Sequence, residues 1–133
     1  MVPLPISLLA TVAASLLNIW LGARIAAFRR DFKVSVGDGG HEPLLRRMRA
    51  QANFIENAPF FLILLAGLEL AGANGLALAA AAIAFILARI AHGYGMDGGT
   101  LARWRTYGMI ASTIASLSLT IWAIVTAVEI LTR

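Results

Sequence analysis

The sequence has no cysteine among its 133 residues. A disulfide framework, a thiolate-ligated metal site and a nucleophilic cysteine are therefore excluded. Histidine is nearly as scarce. With only His41 and His92 present, a metal centre would have to recruit carboxylates, and none is expected. Charge is also short: Lys, Arg, Asp and Glu make up 14% of residues, against about a quarter in an ordinary soluble domain. No serine triad, phosphate-binding loop or paired hydrolase carboxylates can be found. Gly93-x-Gly95-x-x-Gly98 matches the dinucleotide fingerprint. That fingerprint works only between a strand and a helix of a βαβ unit. Here it follows a long apolar run, and it reads as a flexible loop.

What remains is oil. Hydrophobic residues make up 59% of the chain and mean hydropathy is +0.79, so the natural solvent is a bilayer. A span needs about 20 mostly apolar residues. Four candidates occur, at about 6–28, 44–71, 75–92 and 106–128 of a single domain covering 1–133. The first lacks a basic leader region and continues to Ala23, so it reads as a span rather than a cleaved signal. Gly72-Ala73-Asn74-Gly75 is a tight uncharged turn. Asp31–Pro43 and Tyr94–Thr100 are polar loops. The expected architecture is all-α, an antiparallel four-helix membrane bundle. Small residues crowd spans three and four, which suits close helix packing within a subunit or between subunits.

The net charge of +4 does not point to nucleic acid. Ten of the eleven Lys and Arg residues fall between Arg24 and Arg49 or between Arg89 and Arg105, and not along the aromatic-studded basic stripe of a nucleic-acid surface. The positive-inside rule explains them better. It puts both polar loops in the cytoplasm and both termini on the opposite side.

The informative residues are those that intrude on the oil. Arg49, Asn53 and Glu56 stand at i, i+4 and i+7 and so share one helix stripe. Charge near a membrane core is costly unless it faces a partner or a wet cavity. The stripe is either a clamp between helices or a site for a charged ligand. Arg46 and Arg47 read as a solvated or headgroup-facing helix end. Pro59, just beyond the stripe, removes a backbone bond and is expected to bend the helix. Arg89 and His92, at i and i+3, share a face of span three. Arg103 and Arg105 point to different faces of span four, so one of them can readily join the others. Several guanidiniums with one carboxylate suit a small zwitterion with excess negative charge. A guanidinium beside a thiol also favours the thiolate.

RAQANFIENAPFF resembles the signature of the membrane-associated proteins in eicosanoid and glutathione metabolism, the MAPEG family, with the look of leukotriene-C synthase and microsomal glutathione transferase. Arg49, Asn53, Glu56, Pro59 and Phe60 carry that pattern. FKVSVGDGGHEPLLRRMRAQ is similar to the family's first cytosolic loop. The resemblance implies a homotrimer binding glutathione between subunits at the cytosolic end. It implies that Arg49, Asn53, Glu56, Arg89, His92 and Tyr94 hold glutathione. Arg29 or Arg30 would close the site from the first loop. An Arg at the start of helix four would activate the thiol; Arg105 fits one synthase's spacing and is preferred, with Arg103 as runner-up. The implied activity is a transferase or peroxidase acting on lipophilic electrophiles, in a bacterial inner membrane. A non-catalytic lipid-binding or scaffold protein of the same fold is the alternative. A small transporter is a weaker third reading, because spans one, three and four have no central charge for a relay.

Overall fold

The computed structural model describes residues 3–132. Four long helices run up and down: α1 (Pro5–Asp31), α2 (Glu42–Leu70), α3 (Gly75–Gly95) and α4 (Ala102–Leu131). A short 3-10 turn, Gly99–Leu101, precedes α4. All four helices are long and apolar enough to cross a membrane. Each expected span is present. The helices extend past the apolar runs because polar residues such as Arg29 and Arg103 continue a helix readily outside the hydrocarbon.

The core is made of small and aliphatic side chains facing inward. Leu44, Leu65, Leu78, Phe61 and Phe85 are essentially inaccessible. Phe61 of α2 and Phe85 of α3 stack with centroids 4.0 Å apart. In lipid such contacts stabilise by close packing, since apolar burial alone gains little there.

The tightest packing is between α3 and α4, and two glycines cause it. A Cβ on Gly95 would collide with the backbone of Arg105. One on Gly108 would run into the Ala88 carbonyl and lie 2.6 Å from the His92 nitrogen. The two backbones therefore touch, and His92 is held against the first turns of α4. Ser112 and Ala115 continue the same buried seam.

The two ends of the bundle differ. At the end bearing the α2–α3 turn, α1 begins at Pro5 with no side-chain cap of its own. The carboxylate of Glu69 substitutes, accepting from Ile6 N at 3.0 Å and from Ser7 N at 2.8 Å. Ser7 Oγ donates to it as well. Free N–H groups at a helix start are costly in a membrane, and Glu69 removes two. Asn74 caps α3 by accepting from Ala77 N at 3.0 Å.

At the other end Asp97 ties three segments together. It pairs with Arg24 of α1 and with Arg47 of α2, at 3.1 Å. Arg24 also donates to the Gly93 carbonyl at 3.0 Å and lies over the Trp20 ring. Arg47 is thus an internal tie and not a solvated helix end.

Two local expectations change. Tyr94 is on α3, not in a loop, because the helix continues to Gly95. The Gly93–Gly98 motif is a packing device and not a flexible loop. A Cβ on Gly93 would lie 2.9 Å from the Trp20 ring, and Gly98 takes a φ of 83° that suits glycine. Pro59 lies inside α2, which continues past it to Leu70.

Candidate functional site

At the Asp97 end, helices α2, α3 and α4 enclose a cleft of about 330 Å³. Its walls are Arg49, Asn53, Glu56, His92, Met96, Arg105, Thr106 and Met109. The α2 stripe supplies one wall, since its spacing keeps Arg49, Asn53 and Glu56 on one side of the helix. Arg105 faces it from the first turn of α4, in a position fixed by the Gly95 contact. His92 is buried at its floor, 6% exposed.

Behind that wall lies Arg89, only 5% exposed. Its NH1 donates to Asn53 Oδ1 at 2.7 Å, and its guanidinium sits 5.3 Å from the Phe85 ring centroid. Arg89 Nε is buried with no hydrogen-bond partner. A buried guanidinium held by one neutral amide is an incomplete arrangement, because a charge out of water normally has a counter-charge. Asn53 is therefore two-sided: it anchors Arg89 and lines the cleft.

The cleft's own charges are likewise uncommitted. Among the described residues the ion pairs within 4.0 Å are Arg24–Asp97, Arg30–Asp31, Arg46–Glu42 and Arg47–Asp97. Arg49, Glu56 and Arg105 take no part in them. The stripe is thus no clamp closed by a Glu56–Arg bond within the subunit. Two cations and one anion line a partly enclosed space, with a third cation behind it. Such a surface suits a ligand with more negative than positive charge.

The remaining candidates fall elsewhere. Arg103 lines no part of this cleft, which separates it from Arg105. Tyr94 packs on Trp20 with centroids 4.9 Å apart and points away. Arg29 donates to the Ser35 carbonyl at 3.0 Å and contacts Met48. Arg30 is near Asp31, 3.7 Å away, on an exposed surface. Neither lines the cleft. Met96, Thr106 and Met109 complete the lining without having been singled out from the sequence. Met96 stands four residues beyond His92, one turn along the same face, and that spacing could have found it.

The chain is also similar to known proteins. The MAPEG family model matches residues 7–125. Inner membrane protein YecN of Escherichia coli K12 is 30% identical over 112 residues, covering 84% of this chain and 85% of YecN. YecN of the E. coli strain CFT073 matches to the same extent.

Proposed function

We propose, from the premise that the chain belongs to the MAPEG family, that it is a membrane-embedded glutathione-dependent transferase or peroxidase. The observation that carries this reading is the cleft in which Arg49, Asn53, Glu56, His92 and Arg105 converge. Glutathione has two carboxylates, one ammonium and a thiol. Two open guanidiniums and one open carboxylate complement those groups, and the unpaired Nε of Arg89 supports an anion nearby.

In this reading Arg49 forks onto a carboxylate of the ligand, and Glu56 receives the ammonium. Asn53 holds the amide region while keeping Arg89 in place. Arg105 stabilises the thiolate by its charge, at a turn that the Gly95 contact holds rigid. When bound, glutathione supplies the nucleophile that the cysteine-free chain lacks. The exposed apolar faces of α2 and α4, including Phe60, Ile63 and Ile110, leave a lateral path for lipophilic reactants. The assembly we propose is a homotrimer, in which a neighbour's Arg29 or Arg30 closes the cleft. The loop end would face the cytoplasm of a bacterial cell.

One observation favours the second reading, a non-catalytic lipid-binding or scaffold protein. Tyr94 packs on Trp20, and no tyrosine hydroxyl lines the cleft. Conjugation of glutathione to a chlorinated dinitrobenzene by the purified protein separates the two. Turnover that falls on the order of a hundredfold in Arg105→Ala, the scale for losing one preorganised charge donor, supports the enzyme. Absence of turnover while glutathione still raises thermal stability supports the binding protein.

A further inference from the structure

The polar stripe of α2 is longer than the family motif. Glu42 and Arg46 precede Arg49, Asn53 and Glu56 at alternating steps of four and three residues. All five lie on one face. Together they span about 21 Å of helix, at about 1.5 Å per residue. Arg49, Asn53 and Glu56, which line the first cleft, cover about 10 Å of it. The other half, with Glu42 and Arg46, lies outside that cleft.

That half lines a second chamber of about 370 Å³, bounded by Glu42, Arg46, Gly95, Gly98, Ala102 and the shared pair Met96 and Arg105. The two chambers meet at that pair. Each falls within the range of small-molecule sites, about 300–1,000 Å³. Arg46 is positioned for binding. Its Nε and NH2 both donate to Glu42 Oε1, at 3.1 and 2.6 Å. Its NH1 has no acceptor among the described residues and points to Gly98, where a Cβ would collide with it. Gly98 thus makes room for the guanidinium at the chamber wall. Met96 and Ala102 supply apolar wall, and guanidinium planes stack well on flat groups.

We infer that this outer chamber is a second binding site, for a small organic carboxylate on a flat apolar body, received by Arg46 beside Arg105. Such a reactant enters from the aqueous end of the bundle and not from the bilayer. The inference rests on the proposed function only in assigning the inner cleft to glutathione.

The test uses 3,5-dinitrobenzoate, an unreactive aryl carboxylate, titrated calorimetrically into the full-length protein in nanodiscs without glutathione. Saturable binding is expected. Arg46→Gln should weaken it about tenfold, the scale of one lost charge-assisted contact. Glu42→Gln, which frees Arg46, should tighten it, and Arg49→Gln should leave it unchanged. 1,3-Dinitrobenzene, the same ring without the carboxylate, should bind about tenfold more weakly. Saturating glutathione should not displace the benzoate. Absent binding, equal affinity in Arg46→Gln, equal affinity for the uncharged ring, or competition by glutathione would each overturn the outer site. A glutathione titration that shows no binding overturns the proposed function instead, because the benzoate titration is independent of it.

Discussion

Glu69 at one end of the bundle and Glu56 at the other stand on the same helix, thirteen residues apart, in opposite circumstances. Glu69 accepts from two backbone N–H groups and a serine hydroxyl. Glu56 has no hydrogen bond or ion pair among the described residues and lines a cleft with Arg49 and Arg105. The same contrast holds for arginine. Arg24 and Arg47 share Asp97, whereas Arg89 is buried with a free Nε. Charge that the chain satisfies by itself is architecture. Charge that it leaves unpaired along a cleft is an invitation to a ligand.

The largest effect is expected at the loop end. Arg105→Ala should lower conjugation turnover on the order of a hundredfold with little change in melting temperature, as an exposed first-turn residue allows. A parallel loss of stability would make Arg105 structural. Next, Gly108→Val should drive a branched side chain into the Ala88 carbonyl and His92 backbone, costing about 3 kcal/mol or more at an overpacked contact. A thermal unfolding scan in detergent checks it, and an unchanged midpoint would contradict the close α3–α4 crossing.

Glu69→Gln sharpens the contrast from the other side. Losing a charged acceptor at a half-exposed helix start should cost about 1 kcal/mol, read as a lowered melting temperature, while glutathione affinity stays constant. A changed affinity would mean that the two ends are coupled. Smallest of all, Arg30→Ala on an exposed surface should shift the stability of the isolated subunit by less than about 0.5 kcal/mol. A selective loss of glutathione affinity in the assembled protein would place Arg30 over a neighbour's cleft.

The legible parts of the molecule are those governed by local pattern. Uninterrupted apolar runs set four spans, and steps of four and three put Arg49, Asn53 and Glu56 on one face. The same arithmetic extended backwards reaches Glu42 and Arg46, so the longer stripe was readable. Other features depend on residues far apart in sequence. The Glu69 cap joins positions 62 and 63 residues apart, and no local signal announces it. That Arg105 and not Arg103 lines the cleft follows from where Gly95 lets the α4 backbone touch α3. Tyr94 points to Trp20 because α3 outlasts its apolar run by about a turn. Hydropathy marks the oil boundary and not the helix end.

We propose that the unpaired charges of the loop end exist for glutathione. This is tested most directly by thermal unfolding of the solubilised protein with and without that ligand. Glutathione at a hundred times its dissociation constant should stabilise the wild type by about 2.7 kcal/mol. Arg49→Gln and Glu56→Gln should lose most of that gain, and Glu69→Gln should keep it from a lower starting point. A wild type whose melting temperature does not move with glutathione would contradict the account.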